Sequence, residues 1–287
     1  GPMPGPINFR DVRIGVPVCE DIWSPDVCEC LQESGAEFFL VVNGSPFESD
    51  KREVRLQHAV ARVSESGLPL AYVNQVGGQD ELVFDGHSLV VGSDGGIIAQ
   101  ANSFEEEVLF FDITLSSKNS KAKARGIRSV KAPASLSKII KLKELPAHSY
   151  IEKSEEKEVY SALVLGTRDY IRKNGFSKVI LGLSGGVDSS LTAAIAVDAL
   201  GAANVVGVLM PSPHSSTGSI NDSLELAKNL KIKTLPKKMK NYLQNKSILR
   251  KITKNINVGN FEGLALDSRM VKKDNLFLAI DGKNSNG

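Results

Sequence analysis

Cysteine and tryptophan are scarce in this chain: 287 residues hold three Cys and one Trp, and aromatic residues make up 6%. Three cysteines, an odd number in a chain this long, do not build a disulfide framework. No apolar run approaches the length of a membrane span. The N-terminus has no charged stretch followed by an apolar one, so neither a helical membrane anchor nor a secretory leader is expected, and the expected compartment is the cytoplasm. A net charge of +2 gives no reason to expect a nucleic-acid partner. Hydrophobic content of 41% and charged content of 24% are those of an ordinary globular protein with room for one or two cores.

The small net charge hides an asymmetry. From Pro236 to Gly287 there are 11 Lys/Arg and 4 Asp/Glu, a net of +7, which leaves −5 for the rest. A shift this sharp marks a boundary.

The most informative stretch is Leu181-Gly182-Leu183-Ser184-Gly185-Gly186-Val187-Asp188-Ser189-Ser190. The apolar run Lys178–Leu181 ahead of it predicts a buried parallel strand, and the Ala-rich run Leu191–Leu200 after it predicts a helix that Gly201 stops. Strand, small-residue loop and helix in that order aim backbone N–H groups and a helix N-terminus at one point, which is an anion site. Asp188 would repel a bare phosphate, and it makes sense if a divalent cation sits between them. The loop lacks the Gly-Lys-Ser/Thr ending of a Walker loop, and its glycines do not fit G-x-G-x-x-G. An ordinary Gly-rich turn is the plain alternative.

Around this loop the chain alternates strands and helices. Strands are expected at 12–19, 37–43, 70–74, 82–84, 88–91, 97–99 and 108–113, and helices at 24–35 and 51–65. Gly77-Gly78 is read as a turn. The stretch 116–158 is Lys/Ser/Pro-rich with weak periodicity and reads as a linker with one docked segment. A helix is expected at 159–173, a strand at 205–210, a helix at 219–230 and a strand from 232. The pattern is a layered α/β domain followed by a parallel-sheet unit.

Cys19 stands at a strand end with Glu20, Asp21 and Trp23 close behind. By itself it can be a nucleophile or simply a small buried hydrophobe. Cys28 and Cys30 are two apart on an expected helix and cannot easily share a metal. His58 is expected on a solvated helix face, His87 in a turn and His148 in the linker. His214, in Pro211–Thr217 after the 205–210 strand, lies where open α/β sheets bind ligands.

Two family resemblances attach to these residues. Ser184-Gly185-Gly186-Val187-Asp188-Ser189 resembles the S-G-G-x-D-S loop of ATP pyrophosphatases, and with Tyr160–Val187 and Met210–Asp222 it is similar to the synthetase half of glutamine-dependent NAD synthetases. Residues 12–113, through Val18–Trp23, Val42–Phe47 and Tyr72–Gly86, resemble the C-terminal half of a nitrilase-type glutaminase. The resemblance implies Cys19 as nucleophile, with Glu20, Ser45 and Lys51 at the glutamine site. It implies that Ser184, Gly185, Gly186, Val187, Asp188 and Ser189 bind ATP, with Asp188 also a ligand of Mg²⁺. The implied cofactors are ATP and Mg²⁺, and the implied partners are glutamine, deamido-NAD and ATP, with no nucleic acid or membrane, in a full-length parent that is a homo-oligomer. The implied fold is α/β: the C-terminal half of a nitrilase-type sandwich (1–115), a linker (116–158), and the first part of a parallel-sheet adenine-nucleotide α-hydrolase-like domain (159–235). The tail, 236–287, reads as unrelated and basic, and Gly263–Ile280 is similar to the opening of a Mur ligase. The family's base Glu and catalytic Lys lie upstream of its Cys, and the residues ahead of Cys19 contain neither, so the chain reads as truncated at both ends. A truncated or chimeric product with residual ATP binding and no turnover is the alternative to an active enzyme.

Overall fold

In the computed structural model, the residues described are 5–115, 145, 148–209 and 217–235, together with the backbone of 128–129, 263–265 and 275–277. The chain divides into two units, Gly1–Gly166 and Thr167–Gly287.

The first unit is built on a seven-stranded sheet. Its elements in chain order are β1 (Ile7–Phe9), β2 (Val12–Gly15), α1 (Asp26–Glu33), β3 (Phe38–Asn43), α2 (Lys51–Ser66), β4 (Leu70–Asn74), β5 (Val76–Gln79), β6 (Leu82–Asp85), β7 (Leu89–Val91), β8 (Ile97–Gln100) and β9 (Arg128–Ser129). The order across the sheet is β8-β7-β4-β3-β2-β1-β9, and β5 and β6 form a separate hairpin. β2, β3 and β4 run parallel. β7 and β8 add on antiparallel.

Side chains alternate across β3 and β4, so each strand feeds two cores. Phe39, Val41, Leu70 and Tyr72 meet Cys28 and Leu31 of α1 and Ala59 and Val63 of α2. Phe39 is fully buried, which by itself stabilises the fold by about 1.5–3 kcal/mol. Phe38, Ala71 and Val90 form the opposite core.

Three expectations change here. Gly77-Gly78 is not a turn: both lie inside β5, paired with Phe84 and Val83. The hairpin turns instead at Asp80, whose φ is 51°. The expected strand at 108–113 joins no ladder, although its alternation is real: Leu109, Phe111 and Ile113 pack on the Phe38 core while Val108 is 78% exposed. The apolar stripe of α2, expected from Val54, Leu56, Ala59, Val60 and Val63, is also rotated. Arg55 and Arg62 take buried positions beside Ala59 and Val63, while Val54 is partly exposed.

α3 (Glu155–Lys173) begins within the stretch expected to be linker. In the first unit, its Ala162 and Leu165 pack with Phe104, Phe47, Val76 and Val83. The segment before it is tied down by His148 Nε2 to Gln100 O at 2.8 Å, Ile151 N–H to Asn102 Oδ1 at 2.9 Å and Lys153 Nζ to Ser103 O at 2.8 Å.

The second unit holds β10 (Val179–Leu183), α4 (Val187–Leu200), β11 (Val205–Leu209), α5 (Thr217–Asn229) and β12 (Lys233–Leu235). β10, β11 and β12 form a parallel sheet in that order. Ala193, Ala196 and Ala199 of α4 are buried, and their small side chains let the helix lie close to the sheet. The four residues Val187–Ser190, expected in the loop, form the first turn of α4. β13 (Gly263–Ala265) and β14 (Asn275–Phe277) pair in parallel. The remainder of the basic tail, with most of the Mur-ligase-like stretch, lies outside the described residues, as does His214.

Candidate active site and nucleotide loop

Cys19 opens a short 3-10 helix, Cys19–Ile22, where the chain leaves the sheet. A parallel bridge between Val18 and Val42 carries β2's direction up to it. Its turn is fixed from both sides: Asp21 Oδ2 accepts the Val18 N–H at 2.8 Å, and Val18 O accepts the Asp21 N–H at 3.1 Å. The φ of Cys19 is 52°, a left-handed conformation uncommon for a residue with a side chain. Strain of this kind is held by its surroundings and gathers at functional sites.

Cys19 opens on a cleft that it shares with Ser45, Lys51, Arg55, His58 and Tyr72. Lys51, Val54, Arg55 and His58 stand three or four apart on α2, so one helical face lines the cleft. The structure thus brings Cys19, Ser45 and Lys51 together. Glu20 is exposed and is not among the lining residues. His58, expected on a solvated face, is instead half-buried in the cleft and stacks on Trp23 with ring centroids 6.1 Å apart and planes 15° from parallel. Desolvation, helped by the nearby Arg62 charge, lowers its pKa below the usual histidine value.

Beneath the cleft lies a polar network that the sequence did not reveal. The Arg55 guanidinium, 4% exposed, donates through Nε to Ser45 Oγ at 3.1 Å and through Nη2 to Ser45 O at 2.9 Å and Pro46 O at 2.7 Å. Its Nη1 reaches both Asp85 oxygens, at 2.9 and 2.8 Å. Asn74 holds Ser45 from the other side, with its Oδ1 accepting the Ser45 N–H at 2.9 Å. His87 Nδ1 lies 3.1 Å from Asp85 Oδ2. Burial alone would raise the Asp85 pKa, but hydrogen bonds from His87 and Arg55 and their charges hold it below the ordinary value. His87, expected in a turn, lies in the short link between β6 and β7 at φ 53° and is 3% exposed. The signal that could have exposed the network is Arg at positions 55 and 62, one heptad apart on an otherwise apolar stripe.

Cys28 is buried in the α1 core, where desolvation pushes its thiol up to about 11. Cys30 is partly exposed, and all three cysteines are free thiols.

In the second unit the loop closes on itself. Ser184 Oγ and Ser189 Oγ are 3.0 Å apart, Ser189 Oγ donates to Gly186 O at 3.0 Å, and the Gly186 N–H reaches Ser184 Oγ at 3.3 Å. Gly186 caps α4 in an extended conformation, so the first-turn amides of Val187 and Asp188 have no partner inside the helix. Gly185 has φ 78°, and a Cβ there would lie 2.3 Å from Ser219 O of α5. Only glycine fits between the loop and α5. Asp188 is exposed at the mouth. Among the described residues no group of three or more His, Cys, Asp or Glu could hold a metal.

The two candidate sites are thus a left-handed cysteine on a turn beyond the end of β2 and, in the second unit, a strand–Gly loop–helix. Residues 2–122 match the carbon-nitrogen hydrolase family and residues 159–271 the NAD synthase family. The second match runs past Leu235, where the motif resemblance stopped. The resemblance to glutamine-dependent NAD⁺ synthetases holds over most of the chain. It is 44% identical over 230 residues to the glutamine-dependent NAD⁺ synthetase of Rhodobacter capsulatus, covering 80% of this chain and 38% of that protein. It is 42% identical over 247 residues to the one from Aquifex aeolicus, covering 81% and 42%. Among solved structures, the Acinetobacter baumannii glutamine-dependent NAD⁺ synthetase in complex with ADP aligns with a TM-score of 0.62 and 34% identity over 86% of this chain and 43% of that one. The chain therefore spans about two fifths of the length of the relatives it matches.

Proposed function

We propose that this chain carries the chemistry of glutamine-dependent NAD synthesis: glutamine hydrolysis at Cys19, and ATP-dependent amidation of deamido-NAD at the 184–189 loop, in the cytoplasm. The observation that carries the reading is Cys19, held left-handed on a pinned turn and open to a cleft with a cation, Lys51, and a fixed serine, Ser45. In this reading Cys19 Sγ bonds to the carboxamide carbon, the thiol proton passes to the leaving nitrogen, which departs as ammonia, and water cleaves the thioester, releasing glutamate and restoring the thiol. Ser45 and Lys51 hold the backbone groups of glutamine, and Glu20 contacts it from the rim.

At the second site the loop amides and serine hydroxyls hold the leaving pyrophosphate while AMP stays on the deamido-NAD carboxylate, and ammonia displaces it. Mg²⁺ suits this loop, because it binds through one or two carboxylates plus substrate phosphates, and Asp188 supplies one. It would neutralise charge on the pyrophosphate.

The test is labelling by a diazoketone analogue of glutamine, followed by peptide mapping. Label on Cys19 that glutamine suppresses supports the reading, and label elsewhere, or none, refutes it. NAD formation from deamido-NAD and ATP, with glutamine or with free ammonia, separates the two half-reactions.

A further inference from the structure

Three buried polar atoms in the first unit lack a hydrogen-bond partner close to one another: His87 Nε2, Glu158 Oε1 and the Tyr150 hydroxyl. His87 Nε2 and Glu158 Oε1 are 3.6 Å apart, and the His87 and Tyr150 rings are centred 6.2 Å apart. Glu158 belongs to the first turns of α3 and is 9% exposed. From Glu158 the contacts run to His87, then to Asp85 at 3.1 Å, then to Arg55, and from Arg55 to Ser45 at the Cys19 cleft.

Resting on the reading of that cleft as the glutamine site, we propose that Glu158 and His87 are positioning residues: they transmit the seating of α3 through Asp85 and Arg55 to Ser45.

The chemistry of the middle link makes the relay conditional. His87 stands between two carboxylates, and an ionised carboxylate only accepts hydrogen bonds. Both contacts are favourable at once only when both ring nitrogens donate. The buried set is then neutral, with Arg55 and His87 positive and Asp85 and Glu158 negative. If the imidazole gives up one proton, a lone pair faces a carboxylate and the set carries a net negative charge away from water, which is unfavourable. The other titratable groups facing His87 are Tyr150 and the carboxylates of Glu105, Glu106 and Glu107, which share a second cavity with it. A carboxylate on any of these three favours the doubly protonated ring. The link therefore closes with His87 charged and opens when it is neutral, and the opening reaches Ser45 because Arg55 bonds Asp85 and Ser45 with the same guanidinium.

The experiment uses the full chain and measures the alkylation rate of Cys19 by iodoacetamide across pH, with and without glutamine as protectant. Compared proteins are the wild type, Glu158→Gln, His87→Gln and Leu165→Ala, the last loosening α3 through its apolar contact alone. In the wild type, half-protection should need more glutamine as pH rises. Glu158→Gln and His87→Gln should need about tenfold more glutamine at low pH, the size of one lost hydrogen bond to a charged group. Their pH dependence should be flat. Leu165→Ala should keep the wild-type dependence. Identical profiles in the wild type, Glu158→Gln and His87→Gln overturn the proposal. If glutamine gives no protection in the wild type, the reading of the cleft fails. The relay is then judged on the ratio of variant to wild-type alkylation rates, in which the thiol's own titration cancels: a ratio constant across pH overturns it. If a single variant fails to fold, the neutral pair His87→Gln/Glu158→Gln replaces it, with the same flat profile expected.

Discussion

Replacing Asp85 by Asn tests whether the buried network governs the stability of the first unit. The side chains of Arg55 and Asp85 are 5% and 2% exposed, so neither charge is shared with water. Asn keeps the shape and one acceptor oxygen but removes the charge, leaving Arg55 and His87 facing each other through a neutral group. Breaking a buried pair from one side costs about 3–5 kcal/mol. The remaining Asn acceptor recovers part of that, which places the expected loss near the lower figure, about 3 kcal/mol. Against a typical total of about 5–15 kcal/mol this is a large fraction. With a urea slope of about 1–3 kcal/mol per molar, the midpoint should fall by about 1–3 M. The chain's one tryptophan, Trp23, stacks on His58 in the first unit, so its fluorescence follows the unfolding of that unit alone. The acid limb adds a sign. The Asp85 carboxyl is held below its ordinary value in the fold, so its contribution is complete above the unfolded value, about 3.9, and is lost as pH falls through the folded one. The stability gap between wild type and Asp85→Asn should close as pH falls below about 4. A gap under about 1 kcal/mol at pH 7, as for a solvated surface pair, would refute the argument.

Cys28 should be the last of the three cysteines to alkylate, and Cys19 the first. With a thiol pushed up to about 11, Cys28 is a thiolate in only about one molecule in a thousand at pH 8, and it is also buried. Limiting reagent and peptide mapping read the order, and equal labelling of Cys28 would mean that the α1 core is open. Gly185→Ala should abolish ATP binding by calorimetry. The left-handed φ costs about 1–2 kcal/mol, and the added Cβ strikes α5 backbone that cannot rotate away. Val187→Ala, at a side chain 78% exposed, should leave stability within about 0.5 kcal/mol of wild type, and a loss as large as that of Gly185→Ala would point to general loop fragility. Asp188→Asn should remove the Mg²⁺-dependent part of ATP binding, and metal-independent binding unchanged in the mutant would count against a metal role for Asp188.

Much of the architecture was legible because local signals and packing agree. β4 falls on Leu70–Asn74 as the apolar run indicated, and α2 ends at Gly67 in a left-handed conformation. The 184–189 loop was legible for the same reason: it is a run of consecutive residues between a strand and a helix. Where the reading slipped, a period had two physical outcomes. Residues 108–113 alternate, but alternation records which side chains meet a core and not whether the backbone finds a partner strand. Gly77 and Gly78 resemble a turn in composition, yet the turn fell at Asp80, and small residues in a two-stranded hairpin form ladder bonds like any others.

The network under Cys19 was not legible, and the reason lies in sequence separation. Ser45, Arg55, Asp85, His87 and Glu158 come from a loop, a helix, a strand end, a short link and a distant helix, and no short window contains two partners of any one bond except Asp85 and His87. Taken singly, Arg55 and His58 both look like solvated residues on a charged helix. The structure separates them by what each can reach. His58 keeps an apolar partner in Trp23 and loses solvation, whereas Arg55 replaces its water with five oxygen contacts. A guanidinium buried on an otherwise apolar helix stripe needs acceptors to replace its water, as Arg55 finds in five contacts and Arg62 in Ile22 O and Glu65. Its presence at such a position therefore points to an acceptor that faces it. That inference can be drawn from sequence alone, although the partner's identity cannot. Here the partner is Asp85, and because Asp85 also bonds His87, the requirement to satisfy one buried arginine extends to the cluster that meets α3.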